Sequence, residues 1–311
     1  MNEFGVQIII SLIMGLLARI YMIRIDQRQY PSYPQGLISH LTLGIIAASL
    51  GAVAIPALVQ KEYSAVTFLA LAAQQFRDVR SMERQSLDNI EPTELVPRGT
   101  AYIEDIAKAF EARNYMVIIT SLVTGITFYS IKLMKFTIIL QIFFAVLMGG
   151  SIAFLLKRLL RRQLIMEIAE VKSGHIHFDG PLLMVNDVVI MNIGLKASRK
   201  IYEENGLAVE IIPRDANARA TLANVGQRQA IQHNTSIQLG IRKDVDEPDF
   251  TPIARRNPHN GNIVMAIIPM EPSIELLIEA VKRTPVLETA KRKPLESKAG
   301  SKENNQLKGE L

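Results

Sequence analysis

FTIILQIFFAVLMGGSIAFLL, Phe136–Leu156, carries no charged side chain over 21 residues and runs directly into Lys157-Arg158-Leu159-Leu160-Arg161-Arg162. At about 1.5 Å of rise per residue such a run crosses the roughly 30 Å hydrocarbon core of a bilayer as a helix. A soluble domain has no need of it. The cations that close it mark a cytoplasmic border, because basic residues flanking a span are retained on that side. The sequence therefore predicts an integral membrane protein whose residues after 157 lie in the cytoplasm.

Working outward, three more apolar runs precede this one: Phe4–Ile23, Leu37–Val59 and Tyr115–Ser130. The second is rich in Gly and Ala, which lets helices approach closely in lipid and offers small-residue faces for a homo-oligomer. Pro56 is expected to kink its far end. Arg19 lies near the end of the first span and is expected to snorkel toward the headgroups. A fifth stretch, Tyr63–Ala73, is apolar but short, and continues without a breaker into Gln74–Arg84. It either crosses obliquely or re-enters. Residues 74–115 carry Arg77, Arg80, Arg84, Arg98, Lys108 and Arg113, so they read as cytoplasmic. The loop with Arg24 and Arg28 also reads as inside. These placements agree if Tyr63–Ala73 crosses, which makes five spans; re-entry makes four, with both termini inside. The first span has no basic residue before it and no small-residue cleavage site after it, so it is expected to stay attached.

The remainder reads differently. Although 49% of the residues are hydrophobic, mean hydropathy is only +0.17, because residues 163 onward resemble an ordinary soluble domain. The expected fold class is a polytopic α-helical membrane bundle of four to five spans, then a cytoplasmic α+β (or α/β) domain, then a disordered C-terminal tail. The expected boundaries are 1–162, 163–284 and 285–311. Strands are expected over Glu167–Phe178, Leu182–Ile193, Leu207–Pro213, Ile237–Ile241 and Asn262–Ile268, in one sheet. Helices are expected over Lys196–Asn205, Asp215–Gln232 and Ser273–Arg283, with 244–262 a polar loop. Between the spans, Ile103, Ile106, Ala107 and Phe110 recur at i, i+3, i+4 and i+7. That stripe makes 100–115 an amphipathic helix held at the membrane surface. Its acidic opposite face (Glu104, Asp105, Glu111) favours docking on the cytoplasmic domain, with the basic 196–200 or 255–256 region as counterpart.

The string Tyr102-Ile103-Glu104-Asp105-Ile106-Ala107, followed by Phe110-Glu111-Ala112-Arg113-Asn114-Tyr115, resembles the signature of the YIEGIA family, membrane proteins of endospore-forming Firmicutes. Tyr30-Pro31-Ser32-Tyr33-Pro34-Gln35-Gly36 with His40 is similar to it as well, as are Val185–Gly194, Asn224–Ala230 (NVGQRQA) and Phe250–Arg256 (FTPIARR). The chain departs from the family string at Asp105, where the family name has Gly. A helix interior tolerates Asp better than Gly, so no glycine hinge is needed there. The resemblance implies membrane residence and a role in sporulation, and no reaction.

Candidate chemistry is sparse. The chain has no cysteine, which removes disulfides, thiol nucleophiles and Cys-ligated metals together. Phosphate-binding loops, nucleophile elbows and zinc-binding HExxH strings are absent. His175 and His177 share a strand face with Asp179, but without further ligands they read as solvated residues, so no metal and no cofactor is expected. His40, just inside the second span, reads as an interfacial residue bonding to Tyr33 or Ser39. Gln227, Arg228 and His233 with Arg255 and Arg256 can form a cationic, amide-rich site for an anion or a partner. The net charge of +5 is accounted for by membrane borders and the tail. The basic Arg242, Lys243, Arg255 and Arg256 are interrupted by Asp244, Asp246, Glu247 and Asp249, and aromatics for base stacking are scarce, which argues against nucleic acid.

The expected function is a membrane-anchored scaffold or regulator in sporulation whose cytoplasmic domain binds a soluble protein. The alternative is a membrane-bound, hydrolase-like enzyme using the polar cationic cluster. A transporter would call for polar residues or internal repeats along the spans, and the sequence reads as having neither.

Overall fold

The computed structural model describes residues 4–26, 34–297 and 299, with side chains left aside at 23–26, 34–37, 68 and 73. Tyr30, Pro31 and Tyr33 lie outside the described residues, as do the side chains of Pro34 and Gly36. The chain divides into two compact units, residues 1–85 with 106–161, and residues 86–105 with 162–311. Ser86–Asp105, expected to belong with the bundle, thus groups with the second unit.

The first unit is helical. Helix α1 is Gly5–Asp26, α2 Pro34–Val59, α3 Tyr63–Ile90, α4 Thr100–Leu133 and α5 Ile138–Leu159. Helices α1, α2, α4 and α5 are long and apolar enough to cross a membrane. Helix α3 is not among them, so the fifth crossing finds no support: after Ala73 its sequence turns charged. The amphipathic helix and the following span are one helix, α4, because no breaker separates Phe110 from Tyr115. On α5, Ile139, Phe143 and Phe154 are exposed, a surface that suits lipid and not water.

Small residues bring these helices together. A Cβ on Gly15 would stand 2.7 Å from that of Ala48, and one on Gly51 would stand 2.5 Å from the Ile118 carbonyl oxygen. At the same junction the Ser121 hydroxyl lies 2.9 Å from the carbonyl of Ser11 and 2.7 Å from that of Ala48. Gln7 Nε2 donates to the Gly125 carbonyl at 3.0 Å. Ser11, Thr120, Ser121 and Thr124 are all fully buried, so polar residues do run inside the spans, contrary to the sequence reading. Such bonds join helices where lipid supplies no hydrophobic drive. Arg19 is also buried and does not snorkel: its Nε donates to His40 O at 3.3 Å and its guanidinium lies 5.3 Å from the Phe110 ring centre. Phe110 completes a core with Met22, Phe76, Val79 and Val117. Phe110 is therefore covered within the bundle itself, whereas Ile103, at the start of the same stripe, groups with the second unit.

The second unit is α+β. After a single turn, α6 (Ile165–Ile168), come β1 (Ala169–Ser173), β2 (Ile176–Asp179), β3 (Leu182–Val185), β4 (Val188–Asn192), α7 (Lys196–Asn205) and β5 (Leu207–Pro213). There follow α8 (Ala216–Leu222), α9 (Val225–Leu239), β6 (Ile253–Arg256), β7 (Ile263–Ile267) and α10 (Ile274–Lys282). The strands form two antiparallel sheets, β1-β5-β7-β6 and β2-β3-β4, instead of the single expected one. Strand β7 explains the layering. Ile263, Met265 and Ile267 join Leu222, Ile231, Leu277 and Val281 on the helix side. Val264 and Ala266 alternate to the other face and meet Leu183, Val185 and Ile190 of the smaller sheet.

Several element expectations are corrected. Glu167–Phe178 and Leu182–Ile193 are each two strands, the second pair turning at Asn186, which takes φ 52°. Asp215–Gln232 breaks at Asn224, whose side chain caps α9. Ile237 ends α9 instead of starting a strand, and the polar loop 244–262 contains β6. The tail is packed to about residue 297. Val286 N donates to Gln163 O at 2.8 Å, and Val286, Leu287 and Ala290 are buried.

Candidate functional site

Helix α9 carries the predicted residues, and the structure sends them in different directions. Asn224 Oδ1 accepts from Gln227 N at 3.3 Å and starts the helix. Gln227 is buried, with Nε2 donating to Pro285 O at 3.0 Å and Oε1 accepting from Leu287 N at 2.8 Å. It behaves like a strand partner for the incoming tail. Gly226, Gln229 and His233, at i, i+3 and i+7, line a second face packed on residues 96–102. There the buried His233 ring lies T-shaped to Tyr102, centres 6.1 Å apart, and Nδ1 donates to the Val96 carbonyl at 2.7 Å. Burial pushes the His233 pKa down and Arg98 pushes the same way, while the Val96 bond and the carboxylates of Glu94 and Glu91 oppose them.

The 91–105 segment is itself tightly tied. Gly99, at φ +82°, makes a turn that a side chain would strain. Arg98 is buried and pairs with Glu94 at 2.8 Å. Asp105 is 1% exposed, pairs with Arg162 at 3.0 Å and accepts from Glu288 N at 2.9 Å. Tyr102 and Ile103 are buried beside it, and Glu104 is partly exposed. The rest of the family string, Ile106, Ala107, Phe110, Arg113 and Asn114, is buried in the first unit, with Tyr115 partly so.

Arg228, Arg255 and Arg256 do gather. Arg228 Nη1 donates to Ala254 O at 3.0 Å, and Arg255 Nε to Ile190 O at 2.7 Å. Burial lowers the Arg228 pKa, and the charges of Arg255 and Arg256 add to that. Hence three of the five predicted residues form one cationic group, whereas Gln227 and His233 are committed to backbone elsewhere.

His175 and His177 are exposed, their rings stacked with centres 5.6 Å apart. His175 borders a cleft of about 250 Å³ that Ser173 and Glu203 also line. No hydrogen bond joins those three among the described residues, so they form no catalytic relay. Sequence reading missed this cleft because α7 and β2 meet only in three dimensions. His40 faces Arg19, whose Nη2 lies 3.3 Å from His40 Nδ1; a guanidinium only donates, so Nδ1 accepts. No group of three or more His, Asp or Glu among the described residues is arranged to hold a metal ion.

Four membrane-length helices joined to an antiparallel α+β unit define the class: a bundle of helices long and apolar enough to cross a membrane, with an appended mixed domain. The chain belongs to the YIEGIA protein family, whose model matches residues 7–297. It is 40% identical over 296 residues to the "Uncharacterized protein YphB" of Bacillus subtilis (strain 168), covering 95% of this chain and 97% of that protein. No solved structure matches it.

Proposed function

We propose that this chain is a membrane-anchored scaffold or regulator acting in sporulation, with the second unit on the cytoplasmic side binding a soluble protein. One observation carries the reading: the polar side chains best suited to chemistry are spent inside the fold. His233 is bonded to Val96 O and Gln227 to residues 285 and 287. A general base or nucleophile must reach a substrate, and these two face their own backbone. That argues against the hydrolase-like alternative. The resemblance to membrane proteins of endospore formers supports the setting, and the basic residues of 74–115 support the orientation.

A partner surface suggests itself at the C-terminal end of α9, where Ile237, Val245 and Met270 are exposed. Full-length protein with a photo-crosslinking residue at each of these positions, irradiated in sporulating cells, should yield a discrete adduct with the same soluble protein. Control positions on β1, such as Lys172, should not. A normally assembled protein that gives no adduct at any of the three would remove the scaffold reading.

A further inference from the structure

We propose that Arg228, Arg255 and Arg256 form a binding site for a phosphoryl anion at the open edge of the four-stranded sheet. The inference does not rest on the scaffold reading. Strand β6 ends that sheet, so only β7 pairs with it there. Neighbouring strand residues point to opposite faces. Arg255 goes toward the smaller sheet, where it holds Ile190 O, while Arg256 shares the face of Ala254. Arg228 reaches the same strand from the first turn of α9 through Ala254 O.

Each of those carbonyl bonds spends one N–H and fixes the plane of a guanidinium, leaving the other donors to project. A fork held in plane suits the paired oxygens of a phosphoryl group better than a freely swinging ammonium does. None of the three forms an ion pair among the described residues, whereas Arg98 and Arg162 are matched to Glu94 and Asp105. The acid in the same row, Glu210, stands two strands away opposite Val264, itself opposite Arg255. Its oxygens already accept from Asn186 and Asn262. Asp187 likewise accepts from Asn257. The fold thus satisfies its nearby carboxylates with amides and leaves the arginines without an acidic partner among the described residues, close enough that the charges of Arg255 and Arg256 act on Arg228. The lowered pKa of Arg228 expresses that repulsion in part, after its burial. The N-terminal end of α9 adds a positive dipole at Arg228. A bound anion offsets the mutual repulsion of the arginines and is itself favoured by the helix dipole.

Phosphate can come from solution or from a lipid headgroup. Full-length protein in an uncharged detergent, at constant ionic strength, would be titrated calorimetrically with inorganic phosphate and with dihexanoyl phosphatidylglycerol below its micelle concentration. At least one probe should bind saturably, and at least tenfold more weakly to the Arg255→Gln/Arg256→Gln variant. Binding of phosphate alone, or of both, assigns a soluble phosphate; binding of the short-chain lipid alone assigns a headgroup. Should the double variant fail to fold, Arg256→Gln alone is read, since the Arg256 side chain makes no hydrogen bond among the described residues. No saturable binding of either probe, or unchanged affinity in the folded variant, overturns the site.

Discussion

Asp105 counted, from the sequence, as part of an acidic helix face suited to docking on the basic 196–200 or 255–256 region, and as a change from Gly that a helix tolerates. It is instead the buried partner of Arg162 and of the Glu288 amide. Both partners lie far along the chain, at |i−j| of 57 and 183, so no local pattern could announce them. Removing one member of a buried pair leaves the other charge uncompensated, at a cost of about 3–5 kcal/mol. Asp105→Ala should lower stability by about 3 kcal/mol, the low end because Arg162 keeps 15% exposure. Thermal unfolding of the full chain in detergent measures it. His233 gives a pH prediction. Its folded pKa lies below the ordinary value of about 6.5, so below that pH the unfolded chain binds the proton first. Stability present above about pH 6.5 is then lost as pH falls toward the folded pKa. Unfolding midpoints between pH 8 and pH 5 should drop more steeply for wild type than for His233→Gln. Parallel curves would mean that His233 does not contribute this linkage. The predicted trio Arg228, Arg255 and Arg256 was legible as composition. That Gln227 and His233 turn away from it follows from helix geometry around α9, which a string of letters displays only once the helix start at Asn224 is known.

Among elements, those whose burial repeats with a single period were legible. Leu207–Pro213 and Ile263–Ile267 stand where alternation or an apolar run placed them, and α7 and α10 follow their amphipathic faces. Strand β6 was not, because an edge strand can expose Arg255 and Arg256 and so reads as loop. The hairpin β3–β4 was read as one strand because apolar residues flank its Asn186-Asp187 turn on both sides, although Asn readily takes positive φ. The stripe on α4 was read correctly as apolar, and its cover is divided: Ile103 groups with the second unit, as docking on that domain would have it, whereas Phe110 belongs to the first. Phe110 sits in the bundle core with Met22 and Phe76, and the acids beside it pair with Arg162 and, for Glu111, with Arg80 at 3.6 Å. Those pairs take the part expected of residues 196–200 or 255–256. Phe110→Ala should therefore destabilise the bundle by about 3–5 kcal/mol, read as a lower melting temperature in detergent. Phe110→Leu should recover most of it. An unaltered melting temperature for Phe110→Ala would return the stripe to a docking role. Overpacking tests the same unit from the other side: Gly51→Leu forces a side chain against the Ile118 carbonyl, and about 1–3 kcal/mol of stability should be lost.

For the whole molecule, charge and crossing number have to agree. Helix α3 is too polar beyond Ala73 to be counted with the four membrane-length helices. An even number of crossings returns the chain to its starting side, which puts both termini together. The basic residues bear on which side that is. Arg24 and Arg28 would then face outward, against the rule, while Arg77, Arg80, Arg84, Arg98, Lys108 and Arg113 stay inside with Lys157–Arg162. We predict that the larger group prevails, because retention scales with the number of cations near the span ends. A chain without cysteine allows a direct test with no background labelling. Single substitutions Glu3→Cys, Met134→Cys and Lys172→Cys would be exposed in intact cells to a membrane-impermeant maleimide. Met134, 66% exposed between α4 and α5, should react at once, whereas positions 3 and 172 should react only after the cells are lysed. Labelling of position 3 in intact cells would restore a fifth crossing through Tyr63–Ala73. Labelling of position 172 would place the α+β unit, and with it the arginine site, outside the cytoplasm.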